Sequence, residues 1–142
     1  MTAERPSGDE PVDAADLTLL VTSPRVAPGL LSRASWQVLD RAGTVFCADQ
    51  ADPQPAAIAE AGVAVQQAAG TAPPVLAREL VEAAQRAPVV WVGSPDGDPG
   101  LTDALAMELS RVAASGYPPS VEVLVGSQDV PGARLLDLVA VM

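Results

Sequence analysis

Short apolar runs alternate with helically spaced segments along this chain. Leu17–Val21, Thr44–Cys47, Val63–Val65, Val89–Val92 and Val121–Val125 are nearly continuous in apolar residues, the pattern of strands covered on both faces. Between them the apolar spacing changes to three and four. Leu30–Arg41 sets Leu31, Ala34, Val38 and Leu39 on one side of a helix that Gly43 stops. Ala56–Ala61 reads as a small Ala-rich helix after Pro53 and Pro55, ending at Gly62, and Pro73-Pro74 opens a helix over Val75–Arg86. Thr102–Ser115 is the next, with Leu101, Leu105, Leu109 and Val112 on one stripe and Gly116 and Pro118 as its stop. A last helix is expected from Asp129–Gly132 onward, carrying Leu135, Leu136, Leu138 and Val139 to Met142. Strands alternating with helices in this way predict an α/β fold: a single doubly wound domain with a mainly parallel five-stranded sheet and right-handed crossovers.

This pattern also sets the expected boundaries. Residues 1–16 hold Pro, Gly, Ser and five carboxylates (Glu4, Asp9, Glu10, Asp13, Asp16) with only small apolar groups, and read as a disordered acidic tail. Residues 17–133 form the α/β domain. Residues 134–142 read as the start of a helix leading into a missing C-terminal domain, because L-L-D-L-V-A-V-M ends without cap, breaker or polar tail.

Composition changes the picture in what it excludes. The chain has 8 Arg, no Lys, no His and 18 carboxylates, for a formal net charge of -10, so phosphate backbones and anionic membranes repel it. Without His there is no Ser-His-Asp or Cys-His nucleophile pair and no His-containing zinc site. Cys47 is the single cysteine, so no intramolecular disulfide forms; at the end of V-F-C-A it reads as a buried structural thiol, and the compartment as cytoplasmic. No apolar run reaches the roughly 18 residues of a membrane span, and the acidic start is unlike a signal peptide.

In open parallel sheets ligands sit outside the carboxyl ends of the strands. That rule points to Val89–Thr102, V-V-W-V-G-S-P-D-G-D-P-G-L-T, where a buried strand breaks into a Gly, Pro and Asp loop before a helix. Asp96, Asp98 and Asp103 are three carboxylates that a Mg²⁺ ion would accept, yet the calcium-loop pattern fails, with Gly100 in place of an Asp or Asn and Met107 in place of the bidentate Glu. The alternative reading gives Asp98 or Thr102 to helix capping. A phosphate loop is excluded by the missing Lys, and a dinucleotide fingerprint by the absence of G-x-G in Thr22–Gly29. Trp36 and Trp91 read as packing residues.

The order of these pieces resembles the N-terminal half of the tetrapyrrole (corrin/porphyrin) methylases, which bind S-adenosylmethionine. That family opens with a turn like V-G-x-G-P-G-D-P-x-L-L-T; here Val21–Ser32 reads V-T-S-P-R-V-A-P-G-L-L-S, with Pro28, Leu30, Leu31 and Ser32 in place and Thr22, Pro24 and Val26 where glycines stand. Gly97, Asp98 and Pro99 match the family's G-D-P after a strand, and V-E-V-L-V-G-S-Q-D-V-P-G at Val121–Gly132 partly matches its later turn. The resemblance implies a cofactor pocket at Thr22, Ser23, Pro24, Gly93, Gly97, Asp98, Pro99 and Gly126, in vestigial form, and no catalytic or metal-binding residue in this chain. Methylase-like domains of this kind precede MazG-type nucleoside triphosphate pyrophosphohydrolases, whose first helix resembles Arg134–Met142, R-L-L-D-L-V-A-V-M. The implied function is a non-catalytic, structural or regulatory N-terminal domain of such a hydrolase. Its partner would be the C-terminal catalytic domain of the same protein, with Mg²⁺ confined to that domain. Two alternatives stand beside it: a methyltransferase-like domain that still binds S-adenosylmethionine, and an acidic protein-interaction module. The apolar last helix also suggests self-association into a homo-oligomer.

Overall fold

The structure is a computed structural model that describes residues 15–22, 27–94 and 97–126. Its elements are β1 (Leu17–Val21), α1 (Arg33–Arg41), β2 (Thr44–Cys47), α2 (Pro53–Glu60), β3 (Gln66–Gln67), α3 (Pro73–Ala84), β4 (Val89–Val92), α4 (Leu101–Ala113) and β5 (Val121–Val125). The five strands form one sheet in the order β3-β2-β4-β1-β5, and every pairing is parallel. The first strand therefore lies between the last two, with Leu19 level with Trp91 on one side and Val123 on the other.

Alternation along the strands divides the core in two. Leu17, Leu19, Phe46, Val89, Trp91 and Val121 face α3 and α4, where Leu76, Leu80, Leu101 and Leu105 meet them. Leu20, Val45, Cys47, Val90, Val92 and Leu124 face the other way, onto Leu39 of α1 and Ile58 of α2. The connections from β1 to β2 and β2 to β3 run one way along the sheet and place their helices on one face. Those from β3 to β4 and β4 to β5 run back and place theirs on the other, as a single crossover hand requires. This is the single doubly wound α/β domain that the apolar pattern anticipates.

The strands at Leu17–Val21, Thr44–Cys47, Val89–Val92 and Val121–Val125 fall where the pattern puts them; helix starts and the third strand shift. The first helix starts at Arg33 rather than Leu30, because the Ser32 hydroxyl accepts from the Ser35 amide at 3.1 Å and caps it there. Proline fits a first helical turn, so α2 and α3 begin at Pro53 and Pro73 instead of after their prolines. The fourth helix begins at Leu101 on Gly100, whose φ of 84° is open to glycine, and neither Asp98 nor Thr102 makes a side-chain cap. The third strand is Gln66–Gln67, not Val63–Val65: Val63 still bonds back to Ile58 at the end of α2, and the Gln50 side chain holds Val65 by its carbonyl at 2.7 Å.

Asp16, grouped with the acidic tail by composition, belongs to the fold. Its amide donates to the Ser120 hydroxyl at 3.0 Å and its carboxylate accepts from the Ser120 amide at 2.9 Å, fastening the start of β1 to the approach of β5. On α4 an acidic residue occupies an apolar-face position: Glu108 is buried beside Leu105 and is bonded by the Arg111 guanidinium. That hydrogen bond, above all, holds its carboxyl below the usual glutamate range against partial desolvation, with the charges of Arg111 and of Arg78 on α3 adding to it. No helix among the described residues is long and apolar enough to cross a membrane. The remaining tail, Ser23, Pro24, Asp96 and the expected last helix lie outside the described residues.

Candidate functional site

The carboxyl edge of the sheet brings together the sequence-predicted residues that are described. Thr22 follows β1, Gly93 follows β4 and Gly126 follows β5, so three adjacent strands deliver them side by side; Gly97, Asp98 and Pro99 lie in the turn between β4 and α4. The loops from adjacent β1 and β4 leave toward opposite faces, which is the switch-point arrangement at which such sheets open a crevice.

Backbone bonds join the neighbouring strand ends here. The Gly93 amide donates to the Leu20 carbonyl and the Gly126 amide to the Val21 carbonyl, both at 2.8 Å. A Cβ at Gly93 would stand 3.1 Å from the Leu20 carbonyl oxygen, so the missing side chain serves the approach of β4 to β1. The Gly126 carbonyl accepts from the Ser32 amide at 2.7 Å and from the Ser35 hydroxyl at 2.9 Å. Ser35 is completely buried on α1, four residues before Leu39 on the sheet-facing side. Sequence reading passed it over; the available signal was a serine three residues after another at a helix start, on the apolar stripe.

Asp98 is the most engaged side chain of the loop. Its Oδ2 accepts from the indole Nε1 of Trp91 at 3.1 Å and from the Ser94 amide at 3.3 Å, while Oδ1 accepts from the Ser94 hydroxyl at 2.8 Å. Trp91 is 1% exposed, so its N–H must find a partner inside the protein. The tryptophan is thus both a packing residue, as its setting in an apolar strand implies, and the donor that fixes the turn. Gly97, with φ of 88°, and Gly100 supply the left-handed positions that fold the carboxylate back over the strand end. Trp36 is half-buried against the α1 and α2 side of the core.

The chemistry available here is narrow. Cys47 is buried, and desolvation, with the charges of Asp52 and Asp49, pushes its thiol above its ordinary range despite a bond from the Asp49 amide, so it stays protonated. Among the described residues no group of three His, Cys, Asp or Glu side chains is placed to hold a metal ion. Asp98 and Asp103 are both described and do not form one.

No family model matches the chain, and no solved structure matches it. A 26.1 kDa protein of the blaB 3′ region of Streptomyces cacaoi, itself uncharacterized, is 57% identical over 53 residues, which make up 36% of this chain and 20% of that protein. The chain thus matches about one-fifth of the relative's length. Fold and edge together define a doubly wound α/β domain in which, at the carboxyl edge, backbone bonds join β1 to β4 and β5 and Asp98 ties the β4–α4 turn to Trp91.

Proposed function

We propose that this domain is a methylase-like N-terminal unit of a MazG-type nucleoside triphosphate pyrophosphohydrolase, without catalysis of its own, serving the cytoplasmic parent protein as a structural or regulatory part. The observation that carries the reading is the engagement of Asp98: the residue matching the family's G-D-P motif spends its carboxylate on Trp91 and Ser94. Thr22, Gly93, Gly97, Pro99 and Gly126 gather at the same edge, but Gly93 serves the strand contact and the Gly126 carbonyl is taken by Ser32 and Ser35. In this reading no methyl transfer is assigned to these residues. Mg²⁺ and the hydrolytic residues belong to a C-terminal catalytic domain in this reading.

Two measurements test it. The product of the native gene should have an intact mass above 14.4 kDa and should convert nucleoside triphosphates to monophosphates and pyrophosphate in the presence of Mg²⁺, while residues 1–142 should not. Calorimetric titration of this chain with S-adenosylmethionine and its demethylated product should give no heat at millimolar ligand. Heat from either would favour the methyl-donor reading; a native product without pyrophosphohydrolase activity would overturn the proposal.

A further inference from the structure

We propose that Gln54, at the start of α2, reads a small uncharged ligand through a carbonyl oxygen. Gln54 is 8% exposed, and its Nε2 is buried without a hydrogen-bond partner among the described residues. Ile58, four residues on, is completely buried against the sheet. That spacing puts Gln54 on the same side of α2, one turn nearer the carboxyl end of β2, which α2 follows. Gly29, before α1, lies against α2, since a Cβ on it would stand 3.3 Å from that of Ala57.

Asp52 is the N-cap but makes no side-chain cap bond, so it does not take up the main-chain N–H of Gln54 in the first turn. Gln54 therefore offers two donors at one place, its main-chain N–H and its buried Nε2. Native proteins seldom leave such a donor unpaired, which makes it a reader of an incoming acceptor. The acceptor's charge is selected by the surroundings: Asp49 and Asp52 stand close enough to act on Cys47 at the end of β2, and the chain carries a net charge of -10. An anion is repelled there, whereas a neutral carbonyl oxygen is accepted. This inference is independent of the hydrolase reading above.

The test uses the full chain and three probes on one ring: uracil, with two carbonyls; pyrimidine, with none; and orotate, which adds a carboxylate to uracil. The side-chain amide resonances of Gln54, assigned by their loss in Gln54→Leu, should move with uracil at about 10 mM, the strength expected of so small a ligand, and stay in place with pyrimidine and orotate. Gln54→Leu should also melt higher by roughly 3 to 8 °C, because an apolar side chain of similar size removes the unpaired donor. Uracil should also move the main-chain amide resonance of position 54 in the wild type and leave it in place in Gln54→Glu, which keeps the volume and replaces the donor, while the far-UV spectrum is unchanged. No movement with uracil, equal movement with pyrimidine or orotate, or a lower melting temperature in Gln54→Leu would each overturn the proposal; the last would give the amide an internal partner.

Discussion

Replacing Asp98 by alanine should loosen the loop and reach into the core. Three hydrogen bonds end on this carboxylate, at 3.1, 3.3 and 2.8 Å. The Ser94 groups can turn to water, because Ser94 is only half-buried, but the Trp91 indole N–H cannot, at 1% exposure. The expected loss is therefore dominated by one stranded buried donor, about 1 to 3 kcal/mol, plus a smaller contribution from the Ser94 bonds, for about 2 to 4 kcal/mol in all. For a domain of this size that corresponds to a fall in melting temperature of roughly 8 to 16 °C. Asp98→Asn keeps an acceptor for the indole and should lose about half as much. Urea unfolding followed by tryptophan fluorescence measures both, and a double-mutant cycle with Trp91→Phe isolates the pair, with an expected coupling of about 1 to 2 kcal/mol. A loss below about 0.5 kcal/mol in Asp98→Ala, or no coupling to Trp91, would refute the view that this carboxylate serves the fold.

Ser35→Ala removes the buried hydroxyl from the Gly126 carbonyl and should cost about 1 to 2 kcal/mol in urea unfolding; Ser32→Ala, which takes away the α1 cap, should cost about 1 kcal/mol. Glu108, whose carboxyl is held below the usual glutamate range by Arg111, contributes stability that is present above the unfolded-state value of 4.5 and is lost as pH falls through its lower folded value. The urea midpoints of the wild type and Glu108→Gln should thus be furthest apart near neutral pH and converge as the pH falls below 4.5; a constant gap would refute the assignment. Cys47, buried and kept protonated, should react with Ellman's reagent only as fast as the domain opens, so labelling at pH 8 should accelerate with urea in step with unfolding. Immediate labelling in buffer would contradict its placement.

Much of the fold was legible because burial writes a strand as a nearly continuous apolar run, and four of the described strands have one, interrupted only by Thr18, Thr44 and Glu122. Gln66–Gln67 has none: it is an exposed two-residue edge strand, held by pairing with Phe46 and Cys47 and by side-chain bonds between Gln50 and its neighbours. Periodicity located the four described helices but not where they begin, since their starts were set by a serine cap, two prolines and a left-handed glycine. For the candidate site, the sequence showed that Gly93, Asp98 and Gly126 follow strands, and the parallel order brings those strand ends together. It could not show that Asp98 turns back on Trp91 or that Ser35 bonds to Gly126, 91 positions away, because such contacts depend on which strands are neighbours.

The strand order also constrains how the chain comes to be folded. Of the described strands, the first in the chain sits inside the sheet, and its two neighbours are the fourth and fifth. Until Val121–Val125 has been added, one edge of the apolar Leu17–Val21 has no strand to pair with, and Asp16 lacks Ser120, 104 positions away. Local helices can form early, but the sheet closes only after long loops have been brought together, the topology of a slow, high-contact-order folder. Fragments that stop before β5 should therefore collapse without a fixed core and aggregate through the bare edge of β1.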